Sequence, residues 1–407
     1  MRVMMLTHTF PSPANPTFGV WALRQAVALA RAGVDLRVIR FTPWFPPGVR
    51  TLPWFRRVAE CPRSHRFEGI EVQYLKWPLY PAGLPKWQSN ANPWLQAEIS
   101  YAFVQRSLMR QVEAFNPEVI YAHHTWVSGY VAFRLNQLTG IPYVITDHAV
   151  REIGDCARFR ARRRFFQEVQ EHAARMVDVA QPMQKIRRSI FHDVESVVIH
   201  NGADTIPDEM RRVPRPVDIR GRLVISCVAS WVPLKGISML VEAFGLVAGE
   251  FSNAVLRLVG DGPERPRVMA AVRASRGRQM IHALGSLPHQ RALQEMCWSD
   301  VFAMISKGEA FGGVFTEAMM AGLPLIWPLD CGHNDVLVDG VNGIRVPPWD
   351  VPSTAAALRK LLGDADFRRK TGLINRELAE KSLTWDATAQ NMLAIFRDVL
   401  RESRSIA

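Results

Sequence analysis

The chain has 407 residues, 48% hydrophobic and 22% charged, with a net charge of +12. That length predicts two to three domains, and that composition a soluble globular protein with sizeable cores. No apolar run approaches the roughly 18–20 residues of a membrane span, and the positive balance calls for an anionic partner: nucleic acid, an acidic lipid surface or a phosphate-bearing substrate.

Arg2–Thr7 reads as a buried strand rather than the core of a signal peptide, being too short for one. His8 to Phe18 reads as a loop, and Gly19 to Arg31 as a helix with Val20, Leu23, Val27 and Ala30 on one face and Gly33 as its stop. Leu36–Phe41 follows as a strand, giving a βαβ opening and a parallel sheet. Residues 42–94 are rich in proline and aromatics, including PWFPP and PWFRR, and carry no sustained period. They read as a long irregular insertion. A helix over about 96–115, a strand at Val119–Ala122, a helix over about 128–138 and a strand at Tyr143–Thr146 continue the alternation. His8, His123, His124 and His148 all fall at the carboxyl ends of strands, where open α/β sheets bind ligands. Arg158–Phe166 is a dense basic-aromatic block on a predicted helix.

Residues 205–221 are polar and proline-bearing and read as an interdomain linker. A second α/β unit then begins with the strand Leu223–Ala229, a loop bearing Lys235-Gly236, a helix over 238–248 and the strand Val255–Val259, closed by the turn Gly260-Asp261-Gly262-Pro263. The stretch SKGEAFGGVFTEAMMAGLPLIWP, Ser306–Pro328, is the centre of this half. It lies between two buried strands, Val301–Ile305 and Leu325–Trp327, and holds a glycine loop and a helix from about Gly313 to Met320. The first N–H groups of such a helix have no partners and suit an anion. Glu309 on the loop and Glu317 inside the helix can accept from hydroxyls. Phosphate and hydroxyl receptors side by side suggest a nucleotide-sugar. Residues 355 to about 400 read as mostly helical. Cys61, Cys156, Cys227, Cys297 and Cys331 are scattered and odd in number, which fits a reducing cytosol and argues against a disulfide framework or structural zinc.

In order along nearly the whole chain, Phe18-Gly19-Val20, Tyr121-Ala122-His123, Thr146-Asp147-His148, Asn201-Gly202-Ala203-Asp204, Lys235-Gly236, Gly260-Asp261-Gly262-Pro263, Glu309-Ala310-Phe311-Gly312, Glu317-Ala318-Met319 and Asn342-Gly343 resemble the retaining glycosyltransferases classed as family 4. The glutamate pair with Phe311 and Gly312 between is the most specific element. The resemblance implies the GT-B fold: two Rossmann-like α/β domains facing a central cleft, here 1–204 for the acceptor and 205–384 for the donor. A C-terminal helix from about 385 would cross back to the first domain.

The resemblance also implies roles. Glu317 would bind the donor's ribose, Glu309 its sugar, and the N–H groups of Phe311, Gly312 and Gly313 sugar or phosphate oxygens. Lys235 would neutralise the diphosphate as the glycosidic bond breaks, because a helix N-terminus supplies only about half a charge. His123 would orient the reacting sugar, with Gly19 and His148 also on the donor; His123, Lys235 and Glu309 are the expected catalytic group. Ser230 stands where many relatives have an arginine, and Trp231 where a smaller apolar residue is usual. Asp147 and Asp335 replace common glutamates. Asp364-Ala365-Asp366 reads as a helix start, and the paired histidines lack ligand-spaced Cys or Asp partners. No metal or cofactor is expected beyond the UDP- or GDP-sugar donor.

The expected activity is therefore metal-independent transfer of a hexosyl unit to a hydroxyl of a glycan or lipid-linked glycan, in surface polysaccharide synthesis. The location would be cytoplasmic, with the basic-aromatic segments possible contacts to an anionic membrane. The rivals are a nucleotide-sugar epimerase of the same fold, and an inactive basic protein that binds membrane or RNA; no RNA-recognition motif accompanies the charge.

Overall fold

The computed structural model describes residues 1–16, 18–44, 48, 61–78 and 92–406. They form two compact units: Met1–Asn201 with Trp385–Ala407, and Gly202–Thr384. Each is a doubly wound α/β unit, so the architecture is the two Rossmann-like domains of GT-B proteins.

The first unit contains β1 (Arg2–Thr7), α1 (Val20–Arg31), β2 (Asp35–Trp44), β3 (Ser64–Phe67), β4 (Ile70–Pro78), α2 (Pro93–Phe115), β5 (Val119–His123), α3 (Tyr130–Thr139), β6 (Tyr143–Asp147), α4 (Val150–Arg158), α5 (Arg160–Glu171), β7 (Arg175–Asp178), α6 (Gln181–Ile190) and β8 (Ser196–Val198). The sheet order is β3-β4-β2-β1-β5-β6-β7-β8. Among the described residues only the β3–β4 pair is antiparallel. The central strands are unbroken apolar runs because helices cover both faces. Chain order reverses between β1 and β5, which puts His8, Gly19 and His123 beside the switch point where such sheets take ligands. The C-terminal helix Trp385–Ile406 packs on this unit, with Trp385, Met392 and Phe396 in one core with Leu23, Ala26 and Leu29.

Three readings shift. Residues 42–94 are not all irregular: β2 runs on to Trp44, and β3 and β4 form a hairpin closed by Glu68-Gly69, both at positive φ. The short turn hid the hairpin, and the segment PWFRR lies outside the described residues. The buried face of α1 centres on Ala22, Leu23, Ala26 and Leu29, since the helix is covered by both the sheet and the C-terminal helix. The basic-aromatic block is split at Phe159, where extended φ/ψ separates α4 from α5.

The second unit begins with a five-residue helix α7 (Asp208–Arg212) inside the expected linker, then β9 (Leu223–Val228), α8 (Ile237–Val247), β10 (Ala254–Val259), α9 (Arg265–Ala274), β11 (Ile281–Gly285), α10 (His289–Cys297), β12 (Val301–Ala303), α11 (Gly313–Met320), β13 (Leu325–Pro328), β14 (Gly343–Val346), α12 (Val351–Gly363) and α13 (Ala365–Ser382). Its six parallel strands run β11-β10-β9-β12-β13-β14. The switch lies between β9 and β12, whose following loops carry Ser230 and Glu309. Asp364 caps α13 by accepting from the Phe367 N–H at 2.8 Å. No helix among the described residues is long and apolar enough to cross a membrane.

Candidate active site

In the second unit the loop from β12 to α11 is built by its glycine. Gly312 is the N-cap of α11 at φ 78°, and a Cβ there would sit 2.7 Å from Glu309 Cγ. Only glycine lets the Glu309 side chain lie against the helix tip. The Lys235 ammonium donates to Glu309 Oε2. Lys235 ends a 3₁₀ turn, Pro233–Lys235, which the Lys307 N–H anchors by donating to the Leu234 carbonyl at 2.8 Å. Lys235, Glu309 and the free N–H groups of α11 therefore converge in one unit. Glu317 stands on the same helix, about 7.5 Å further along its axis.

Glu317 has an unusual setting. Burial pushes its carboxyl up to about 8, and the nearby Asp204 carboxylate adds to the shift. His289 Nε2 lies 3.8 Å from Oε1. Asp204 entered the sequence reading only as the end of Asn201-Gly202-Ala203-Asp204, without a role, and His289 not at all; the first sits at the unit's start and the second opens α10, so only folding brings them together.

His333 was also missed. It is fully buried, accepts at Nε2 from or donates to Thr316 Oγ1 at 2.8 Å, stacks on Phe311 at 4.0 Å, and bonds the Phe311 carbonyl through Nδ1. A carbonyl only accepts, so Nδ1 carries the proton and Nε2 takes the Thr316 hydroxyl proton. One imidazole thus ties the turn after β13 to both the loop and the first turn of α11. The Phe311 ring is part of this packing, 2% exposed. Glu309 is further held by the Gly332 N–H donating to its carbonyl at 3.1 Å.

Ser230 is exposed at the end of β9. Trp231 is fully buried under the Gly260–Pro263 turn: its backbone N–H donates to the Asp261 carbonyl at 2.9 Å, and a Cβ on Gly262 would meet Trp231 O at 2.5 Å. Asp335 lies in the short turn Gly332–Asp335.

In the first unit four histidines gather at the sheet's carboxyl edge. Ring centroids of His8 and His124 are 4.9 Å apart, those of His123 and His148 5.1 Å, and those of His124 and His148 5.4 Å. Trp21, from the first turn of α1, stacks on His123 at 5.0 Å and lies 4.0 Å from His148. Gly19, the α1 N-cap at φ 74°, is pressed on β1's following loop, where a Cβ would meet Thr9 C at 2.6 Å. Both nitrogens of His123 are buried without a protein partner. Burial pulls His123 and His148 well below the ordinary imidazole value and His8 down to about 4, with His124 adding to the drop in His8. His124 is the exception: burial opposes its charge, but Glu152, 3.5 Å from Nδ1, raises it above the ordinary value. Glu152 is held at about 2: burial pushes it up, and His124 more than reverses this.

Asp147 explains how this edge is held. It accepts from the Thr125 N–H at 2.7 Å, the Thr125 hydroxyl at 2.9 Å and Arg187 Nη2 at 2.8 Å. It fixes the loop after β5, where His124 stands at φ 69° and Val127 at φ 62°. Such strained non-glycine residues persist only where the surroundings over-determine them. Although the paired histidines have no ligand-spaced Cys or Asp partner along the chain, the fold gives His124 acidic neighbours: ligand atoms of His124, Asp147 and Glu152 lie within 4.8 Å of one another. Asp147 and Glu152 came together through β6 and the first turn of α4, a juxtaposition invisible in spacing. A 430 Å³ hollow in this unit, lined in part by Arg175, Asp193 and Ser196, opens at the amino ends of β7 and β8, away from this edge.

Comparison with known proteins follows the same division. The family described as glycosyl transferases group 1 matches residues 222–364, and the glycosyl transferase 4-like domain matches residues 18–202. A D-inositol 3-phosphate glycosyltransferase of Nocardia farcinica is 27% identical over 98% of this chain and 90% of its own length. A glycogen synthase of Mycobacterium tuberculosis is 24% identical over 98% and 95%. Among solved structures, the sucrose-phosphate synthase of Thermosynechococcus elongatus gives a TM-score of 0.78 at 19% identity, covering 99% of this chain and all of that one. The HepE protein of Anabaena in complex with UDP gives 0.73 at 17% identity, over 98% of this chain and all of that one.

Proposed function

Since the chain belongs to the group 1 and 4-like glycosyltransferases, we propose that it is a retaining, metal-independent hexosyltransferase using a UDP- or GDP-sugar. The observation that carries this is the convergence of Lys235, Glu309 and the α11 N-terminus, with Glu317 on the same helix. Glu317 accepts from the ribose hydroxyls, and Lys235 with the helix tip takes the diphosphate. Glu309 and the N–H groups of Phe311, Gly312 and Gly313 take the sugar and its bridging oxygens, with Ser230 a single uncharged donor beside them. In the first unit His123 orients the sugar, with His148 and Gly19 at the same edge. The bond from the anomeric carbon to the diphosphate oxygen breaks, and the acceptor oxygen bonds to that carbon on the same face. The acceptor's proton passes to the leaving phosphate. Lys235 stabilises the charge that develops there, so no metal is needed on the diphosphate.

Titration calorimetry with UDP and GDP, followed by NMR of the anomeric configuration in the product, tests this. Binding of one nucleotide at micromolar strength and a retained configuration are expected. No nucleotide binding, or inversion, rejects it; free sugar released without any acceptor selects the epimerase reading.

An acceptor embedded in a bilayer, such as a lipid-linked glycan for surface polysaccharide, is favoured by one surface. Leu95, Ile99 and Phe103 are exposed on one face of α2, followed there by exposed Arg106 and Arg110. Trp94 at the start of α2 meets Phe165 of α5 at 4.7 Å, which brings in exposed Arg160, Arg163 and Arg164. Apolar residues with arginines beside them suit an anionic bilayer surface, which supports the reading of a peripheral position on the cytoplasmic face. Sedimentation with phosphatidylglycerol vesicles should be lost in Phe103→Asp; binding to RNA but not to vesicles would reject it.

A further inference from the structure

Trp349, in the loop between β14 and α12, has a φ of 62°; among the described residues it is the one non-glycine residue of the second unit at positive φ. The left-handed region crowds the Cβ of any L-residue, and a bulky one stays there only where its surroundings hold it. Such strain collects at functional sites. The Trp349 N–H donates to the Ile305 carbonyl at 3.3 Å, and the next residue, Asp350, caps α12 by accepting from the Ser353 N–H at 2.6 Å. Neither bond needs an indole, and glycine would take this backbone conformation without strain.

The ring's own contacts are with the turn that carries Lys235. It lies on Gly236, where a Cβ would come 2.6 Å from Trp349 Cδ1. Gly236 follows Lys235 directly, stands at φ 64° and is the N-cap of α8. The indole Nε1 donates to the Leu234 carbonyl at a long 3.4 Å, and the Lys307 N–H donates to the same carbonyl at 2.8 Å. The Lys307 ammonium stands over the ring, 5.0 Å from its centre, which favours that ring position. The turn Pro233–Lys235 buries none of its own side chains, and Leu234 is 53% exposed. It has no apolar anchor of its own, so backbone bonds and the indole on Gly236 are what hold it.

We infer that Trp349 is a positioning residue for Lys235: its ring, pressed on Gly236 from a strained backbone, sets the direction in which the lysine meets the donor's diphosphate. This rests on the assignment of the diphosphate to Lys235. Trp349 acts through the Lys235-Gly236 turn and is not itself a catalytic residue.

Two variants of the full chain test it. Trp349→Gly keeps the backbone conformation and removes the ring; Trp349→Phe keeps a ring against Gly236 and loses Nε1. NMR relaxation of lysines labelled with ¹³C at Cε, without nucleotide, reads the order of the Lys235 side chain, assigned by its loss in Lys235→Ala. That order should fall in Trp349→Gly and largely return in Trp349→Phe. Calorimetry with UDP and GDP should show binding at least tenfold weaker in Trp349→Gly, with most of it recovered in Trp349→Phe. In a Lys235→Ala background Trp349→Gly should cost no further affinity, since its effect runs through the lysine. A lower melting temperature with Lys235 order and nucleotide affinity unchanged would make the indole a structural cover and overturn the inference. An equal loss of affinity in both backgrounds would overturn it too. If the wild type binds neither nucleotide, the donor reading fails separately, and the relaxation data still decide whether Trp349 orders Lys235.

Discussion

The Lys235 ammonium donates to the Glu309 carboxylate, so the cation assigned to the diphosphate and the acid assigned to the sugar neutralise each other. A bound diphosphate must compete with Glu309 for that cation. In nucleotide affinity the two residues should therefore respond with opposite signs, Lys235→Ala weakening it and Glu309→Gln raising it. Lys235→Ala should reduce kcat by about 10²–10³-fold, the usual effect of deleting one group that stabilises developing charge. Glu309→Gln should also slow turnover, yet bind free UDP or GDP more tightly, since Lys235 is released. Steady-state kinetics beside calorimetry checks both; weaker nucleotide binding in Glu309→Gln would show that the pair acts as one structural unit.

Glu317 gives a pH prediction. Its folded value of about 8 lies above the ordinary carboxyl value of 4.5. The folded state therefore holds a proton that the unfolded chain has lost between those values, and stability falls as pH rises through that window. The side chain keeps a quarter of its surface, so solvent moderates the size of the effect but not its sign. Ribose hydroxyls donate best to an ionised carboxylate, so nucleotide binding near pH 7 should release protons, and affinity should rise towards pH 8.5. Calorimetry in buffers of different ionisation enthalpy reads the release directly. Glu317→Gln should abolish it; an unchanged release would place the proton elsewhere.

Much of this was legible in the chain. Glu309, Gly312 and Glu317 were readable because strand, glycine turn and helix are consecutive, and local spacing fixes their geometry. The alternation of apolar runs gave most strands of both sheets. What was not legible came from strand order and loop packing. Asp147 looked like a shortened stand-in for a common glutamate, and in the fold both its oxygens are taken by Thr125 and Arg187. Trp231 looked like a departure at the diphosphate and proves to be a fully buried support for the Gly260–Pro263 turn. The β3–β4 hairpin was hidden by proline- and aromatic-rich flanks and a very short turn.

His333 yields a positioning prediction. It bonds the Phe311 carbonyl and the Thr316 hydroxyl, and stacks on Phe311. His333→Phe keeps an aromatic ring but leaves both polar groups buried and unpaired, at about 1–3 kcal/mol for each such group. If His333 only supports the core, melting temperature falls and the kinetics of the folded fraction stay the same. If it sets the donor loop, KM for the nucleotide-sugar rises about tenfold while KM for the acceptor is unchanged. His333→Asn, which can still bond one partner, should recover part of the donor KM.

Arg187 makes the largest stability claim. It is wholly buried and bonds Asp178 through Nε at 2.9 Å and Nη2 at 2.7 Å, and Asp147 through Nη2 at 2.8 Å. Those acids raise its guanidinium above the ordinary value, against the cost of burial. Arg187→Met leaves two buried carboxylates without a counter-ion and should cost about 3–5 kcal/mol. Urea unfolding should show a lower midpoint with the slope unchanged. Adding Asp178→Asn should return part of the loss, because an amide needs no counter-ion, and the two changes should be strongly non-additive. Asp147 also fixes Thr125, so the single variant should disturb the strained His123-His124 loop. Turnover should then fall in protein that is still folded, whereas a variant that loses stability alone would keep its kcat.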